Sequence, residues 1–471
     1  MLLEQQPEPG NVPWDALRYV TGHIHYGGRV TDDWDRRCVL SLLERFYSDE
    51  ALEDGYSLDG SSAGGEADAD DPYRCPPAGS LDDYRAFVAA LPLDDAVGLF
   101  GLHENAKITH GLAEAAGVIR TIVDIQPRLG AGGGGGSAEA TATALAKRLA
   151  DELPPPMLRT EALRGALGVV SEDGKVDVGS LTSLQLVLLH EVDHFNHLLH
   201  VVASSLKNLQ LAVQGVLVMS ADLERVFSSM LRGEVPAAWA KAAYPSLKPL
   251  ASWHNDLRAR VGFIRSWLVA PGPPDRFPLP YFFYTQGFLT GVLQMHARKH
   301  KVPIDFLSFA YRLLDEPSPE IIEAANSPDS PAARRPTATA ADGAATPGTP
   351  AGMTAELASG FVPEPPPDDG VLVEGLFLAG ARYNRTLRVL QPPRPKQMVD
   401  PLPAIHFEPV ENQPRDESAY ECPLYKTSAR AGVLSTTGAS TNFVVALSIP
   451  TREPPEKWVR MGIAALCQTD D

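Results

Sequence analysis

Apolar residues return every three or four positions through the middle of the chain. In SLTSLQLVLLHEVDHFNHLLHVVASSLKNLQLAVQG, Leu184, Leu188, Val192, Phe195, Leu199 and Val202 share one face at helical spacing. The spacing predicts helix from about 160 to 235, with this stretch forming one long helix or two. Residues 13–50 open on Pro13, a favourable first helical position. Residues 81–127 read as helical segments broken at Pro92 and Gly101, and 138–152 as an Ala-rich helix stopped by Pro154, Pro155 and Pro156. A Trp-, Tyr- and Phe-rich stretch over 235–311 is punctuated by Pro and holds a helix near 286–300. Past about 368 the period changes. VLVEGLFLAGARY, AIHFEPV, CPLYKTSAR, NFVVALSIP and VRMGIAALC are short apolar runs between turn signals, which is strand chemistry. The fold class that follows is α+β, with a helical N-terminal two-thirds and a β-rich C-terminal subdomain.

Three stretches interrupt the pattern. SSAGGEADADDP and CPPAG within 55–80, GAGGGGGS at 130–137, and the Ala-, Pro-, Thr- and Ser-rich 316–367 lack the apolar residues to bury a core. They read as linkers. Composition agrees: 39 Gly and 42 Pro are too many for a fully packed chain of 471 residues. The net charge of −18 argues against a nucleic-acid partner, which wants a basic surface. No secretory leader or membrane-spanning run is recognised. Four cysteines (Cys38, Cys75, Cys422 and Cys467), none in a CxxC pair, read as reduced thiols of an intracellular protein. The sequon at Asn384 is then a chance match.

The sharpest chemical motif is His190-Glu191-Val192-Asp193-His194, which fits HExxH. On a helix, two His four apart can share a Zn²⁺ with the Glu as general base. His200 extends the spacing towards a third ligand. Against this, a continuous helix places His200 ~15 Å along the axis from His190, too far for one coordination sphere. Metal binding at His190, His194 and Glu191, and with it a zinc-dependent metallohydrolase, is the alternative reading. Other signals are blander. No GxxxxGK[ST] loop is present to cradle a nucleoside triphosphate. Asp32-Asp33-Trp34-Asp35-Arg36-Arg37 reads as a salt-bridged helix start, and Ser435-Thr436-Thr437-Gly438 as a turn.

Longer blocks are more specific. PWDALRYVTGHIHYGGRVTDDWDRR at 13–37 resembles the end of the sixth AAA+ module of dynein heavy chains, and LPLDDAVGLFGLHENAKIT at 91–109 resembles the opening of their C-terminal domain. Residues 216–253, 282–305, 373–385 and 420–451 continue the likeness in family order. Tyr425-Lys426-Thr427 and Ser440-Thr441-Asn442-Phe443 look like the axonemal branch. The family helix at the HEVDH position reads Gln-Glu-x-x-Arg-Phe-Asn-x-Leu-Leu, so His190 and His194 look like substitutions at solvent-facing positions.

The resemblance implies a division of the chain. Residues 1–54 would be the helical small part of the sixth module and 55–80 a disordered insertion. Residues 81–315 would form the helical part of the C-terminal domain, 316–367 a second disordered insertion, and 368–471 a β-barrel-like part. It implies no catalytic or cofactor-binding residue on this segment, with ATP and Mg²⁺ bound in the parent motor ring. Partners would be the rest of that ring and other axonemal dynein subunits, with microtubules reached only through the parent motor, in the axoneme of cilia and flagella. No membrane or nucleic acid is expected. Trp239, Tyr244, Trp253, Phe282, Phe283 and Phe288 are the expected ring-docking side chains; the competing expectation is that these aromatics form only the domain's own core.

Overall fold

The computed structural model describes residues 12–26, 28, 30–53, 55–58, 71–125, 135–158, 181–314, 365–412, 416–430 and 440–470. Most of 316–367, the first part of the Gly-rich run and the Ser435–Gly438 cluster lie outside them.

The chain opens with α1 (Trp14–Tyr19), which runs into a wider π turn (Val20–His25), followed by α2 (Asp33–Phe46). Gly22 lets the two approach: a Cβ there would meet Leu40 Cδ2 at 2.7 Å. Next come α3 (Leu81–Ala90), closed by a Ser80–Asp83 capping box, and α4 (Asn105–Ile125). The 55–80 stretch packs at both of its ends, over 55–58 and 71–80. Ser57 bridges Arg74, and Tyr73 is buried and accepts from the Ala96 N–H through its hydroxyl. An apolar anchor within a polar stretch accounts for the difference from the expected disorder. Helix α5 (Gly135–Glu152) likewise begins inside the Gly-rich run, before the expected residue 138.

The periodic stretch forms one continuous helix, α6 (Ser183–Val213), started by a Thr182–Gln185 capping box. Helices α7 (Ala221–Leu231), α8 (Ala237–Ala242), α9 (Leu250–Val269) and α10 (Thr285–His300) follow, and α5 and α7–α10 all pack on α6. The strands do not all wait for residue 368. Strand β1 (Arg276–Pro278) and β2 (Leu307–Leu313) come from the helical span. They join β3 (Val371–Glu374) and β8 (Ile405–Glu411) in a sheet of order β1-β3-β8-β2. β1 is three residues long, too short for a period to register, so the sequence pattern did not reveal it.

A second sheet holds β4 (Phe377–Ala379), β7 (Val399–Pro401), β9 (Ala419–Tyr425), β10 (Phe443–Pro450) and β11 (Ala464–Leu466) in the order β10-β9-β11-β4-β7. Helix α11 (Pro455–Arg460) carries the polypeptide from β10 to β11, which lies parallel to β9 in the middle of the sheet. β5 (Arg382–Asn384) and β6 (Val389–Gln391) make a separate hairpin. The architecture is α+β, helices first and most strands last. One apolar cluster runs from α5 to Cys467 and includes residues of α6–α10 and of both sheets, so helices and strands share a core. No helix among the described residues is long and apolar enough to cross a membrane.

Candidate functional site

The HEVDH motif lies on α6, where the helix phase divides its residues. His190, Asp193, His194 and His197 face outward, while Glu191, Val192 and Phe195 face the core. The His194 ring stacks on Phe283 at 5.0 Å. Glu191 is 1% exposed, and both of its oxygens accept backbone N–H groups, from Phe283 at 2.6 Å and Tyr284 at 2.9 Å. A carboxylate turned away from the two His and saturated by the main chain cannot activate a metal-bound water. The continuous helix also carries His200 away from His190, as its axial rise requires. The hydrolase reading is withdrawn on this geometry.

Glu191 instead closes the entry to α10. The first N–H groups of a helix lack intrahelical partners, and Tyr284 sits at the N-cap of α10. Glu191 reaches across from α6 to satisfy that end. Burial pushes its carboxyl up to about 7, against the two N–H donors and Arg260, which pull it down. Arg260 on α9 is itself buried. Its Nε donates to Asp256 at 2.7 Å, its Nη1 to the Pro280 carbonyl, and its Nη2 to Gln468 Oε1 at 3.3 Å. Its guanidinium lies 3.7 Å from the Tyr244 ring centre. This buried polar group ties α9, the 280s loop and the segment after β11 together.

The acidic cluster starts α2 as a cap. Asp32 Oδ1 accepts from the N–H of Trp34 at 2.9 Å and Asp35 at 3.3 Å. Its Oδ2 accepts the Ser440 N–H at 3.0 Å, 408 residues away. Arg37 lies over Trp34 and Tyr420 and donates to the Glu421 carbonyl at 3.1 Å. Arg36 donates to Val30 O and meets His23 Nδ1. Arg36 and Arg37 thus engage carbonyls outside the cluster and the rings of Trp34 and Tyr420, in place of the expected intra-cluster salt bridges. Helix α2 is clamped to β9 and to the turn before β10.

Two family models divide the polypeptide at a place this geometry makes sensible. The AAA lid domain of dynein heavy chains matches residues 1–106, and the C-terminal domain of dynein heavy chains matches 112–467. The protein belongs to the dynein heavy-chain family. It is similar to dynein axonemal heavy chain 6 of Homo sapiens, with 41% identity over 98% of its own length and 10% of the relative. Dynein axonemal heavy chain 3 of Homo sapiens is 39% identical over 98% of the present sequence and 10% of its own length. Dynein axonemal heavy chain 12 of Rattus norvegicus is 35% identical over 98% and 13%. The 471 residues therefore span about a tenth of the length of the curated relatives they match.

In this dynein segment the α2 clamp is the seam between lid and C-terminal domain. The lid model runs through 81–106, a stretch the sequence reading assigned to the second domain. Asn105, which sequence reasoning missed, lies at the boundary between the two matched regions and bonds across it. Its Nδ2 donates to Arg394 O and Gln397 O, both at 2.9 Å, and its Oδ1 accepts Lys396 N–H at 2.8 Å. All three bonds go to one loop.

The expected docking aromatics lie mostly inside. Trp239, Tyr244, Trp253, Phe282 and Phe288 belong to the shared core, and Phe283 is half-buried between His194 and Phe195. As placed, the first five offer no surface to a partner. An exposed apolar row lies on α4. Ile108, Leu112, Ile119 and Ile122 recur at helical spacing, and every side chain from Lys107 to Ile122 is exposed. Leu112 and Ile119 are 63% and 62% exposed. The helical spacing was readable in the sequence, but nothing in it said that no described residue would cover this face.

Proposed function

We propose that this protein is the C-terminal, non-catalytic segment of an axonemal dynein heavy chain, and that it packs on the AAA+ motor ring through α4. The observation that carries this is the bare apolar row of α4, on a polypeptide that spans only a tenth of its relatives. A row of Ile and Leu at i, i+4, i+11 and i+14 on an exposed helix marks a face that another protein surface buries. The rest of the heavy-chain ring is the occupant this reading commits to. ATP and Mg²⁺ then act elsewhere in the parent ring, and microtubules are reached only through it. Other axonemal dynein subunits join it in cilia and flagella. The role of this segment is mechanical: the α2 seam couples the lid to a close-packed domain, and close-packed interiors transmit strain.

A whole heavy chain with Leu112→Ser and Ile119→Ser tests this. The expected outcome is slower microtubule gliding with unchanged thermal unfolding of the 471-residue segment. Unchanged gliding would reject docking through α4. The parent assignment has its own test, an antibody raised against residues 371–471 and used on axonemes. A band near ten times the 50.7 kDa of this segment supports it, whereas a band at 50.7 kDa identifies a stand-alone protein.

A further inference from the structure

A second His-x-x-x-His pair lies in the sequence, in HARKH at the end of α10, and the structure gives this pair a carboxylate. His296 and His300 occupy successive turns of one helix face, with ring centres 4.3 Å apart. Asp369, two residues before β3, reaches between them. Its Oδ2 lies 3.0 Å from His296 Nδ1 and 2.7 Å from His300 Nε2. The three potential ligand atoms all lie within 4.8 Å of one another, the one such group of three among the described residues.

We propose that His296, His300 and Asp369 form a zinc site that pins the last turn of α10 to the strand half of the domain. Two imidazole nitrogens and one carboxylate oxygen are ordinary zinc ligands, with water in the fourth position. Tetrahedral zinc with bonds of about 2.0–2.1 Å places its ligand atoms about 3.3 Å apart. The two Asp369–His spacings, 3.0 and 2.7 Å, need to open by about 0.3 and about 0.6 Å to accept the ion.

The ligands are held from behind. His406, buried on β8, donates through Nε2 to the Asp369 carbonyl at 2.8 Å, and the Gly370 N–H donates to Asp369 Oδ1 at 3.0 Å. Gly370 has φ +75°, and a Cβ there would collide with the Phe407 carbonyl, so the turn that aims Asp369 depends on glycine. Partners that fix a ligand's orientation sharpen metal affinity.

One charge opposes the ion. Lys299 Nζ lies 3.6 Å from Asp369 Oδ2, but it also donates to the Asp368 carbonyl at 3.0 Å and is half-exposed. Zinc would leave it on that carbonyl. Asp369 and Lys299 also line a cavity of about 450 Å³ that includes Thr182, Met295 and Pro366, a route by which an ion can enter.

The test is zinc titration of the purified 471-residue protein after chelator treatment, followed by calorimetry and elemental analysis. Cobalt substitution adds a check through the visible absorption of a tetrahedral site. One equivalent of zinc should bind and raise the unfolding temperature. His300→Ala and Asp369→Asn should each weaken binding more than about 100-fold, beyond the loss typical of an orienting partner. His194→Ala, in the HEVDH helix, should leave binding unchanged. The proposal is overturned if the wild-type protein takes up no stoichiometric zinc, if both site variants bind as tightly as wild type, or if His194→Ala abolishes binding. His300 is half-exposed, so its variant should fold, and the Asn variant keeps the shape of Asp369.

Discussion

Helices α4 and α6 carry the same kind of apolar row and sit in opposite surroundings. Along α6, Leu188, Phe195, Leu198 and Leu209 are sealed by neighbouring helices of the same polypeptide. Along α4, Ile108, Leu112, Ile119 and Ile122 face solvent. Periodicity states that a helix needs a partner; it does not state whose partner. The α6 row is answered by aromatic residues brought in by α8, α9 and the 280s loop. The α4 row is answered by none of the described residues, and the length of the relatives says how much polypeptide could answer it.

Truncating an aromatic on the inner side should show the contrast most strongly. Phe282 is 1% exposed and stacked 4.1 Å from Phe288. Phe282→Ala should lower the unfolding free energy of the segment by about 3–5 kcal/mol in denaturant titration. A loss of motor speed with unchanged stability would contradict the core placement and return Phe282 to the docking surface.

Glu191 comes next. Removing it in Glu191→Ala leaves two partly buried N–H groups without acceptors, and at about 1–2 kcal/mol per group, the low end for a partly buried donor, the expected loss is about 2–4 kcal/mol. The pH response sharpens the point. Its folded carboxyl titrates near 7 against 4.5 for an unburied glutamate, so between those values the folded state holds more protons than the unfolded one. Stability should therefore fall as pH rises from about 4.5 to about 7 and level off above. Glu191→Gln, which cannot titrate, should flatten that slope in melts taken across the window. An unchanged slope would place the titrating group elsewhere.

The smallest effect belongs to α4. Leu112→Ser with Ile119→Ser should change the stability of the segment by no more than about 0.5 kcal/mol, because both side chains are exposed. A large loss in thermal unfolding would mean that α4 has a partner within the segment after all, and the comparison with α6 would dissolve.

Much of this was readable before the fold was known, in proportion to how local the cause is. The α6 stripe follows from spacing alone, and the outward placement of His190 and His194 from the resemblance to the family helix. The phase also held an unused signal: Glu191 falls with Leu188, Phe195 and Leu198 on the buried face, and a charge there needs a fixed partner. The partner is the backbone of residues 283–284, some 92 positions away, and no local pattern announces it. Distance hid the third zinc ligand in the same way. HARKH is visible as a pair, but Asp369 is 69 residues beyond His300, past the Pro- and Ala-rich 316–367 stretch. The aromatics at 239–288 were visible as a docking inventory because aromatic richness marks cores and interfaces alike.

The position of β11 carries a consequence for how the molecule is made. Strands β4, β7, β9 and β10 leave the ribosome before it, yet their common ladder lacks its middle rung until Ala464–Leu466 appear. Until then β9 and β4 present open backbone edges towards each other, the kind of edge that pairs with the wrong partner. A polypeptide that stops before residue 464 would leave that sheet in two halves, so late translation errors should be as damaging as early ones, and nascent polypeptides should depend on chaperones until this strand is in place.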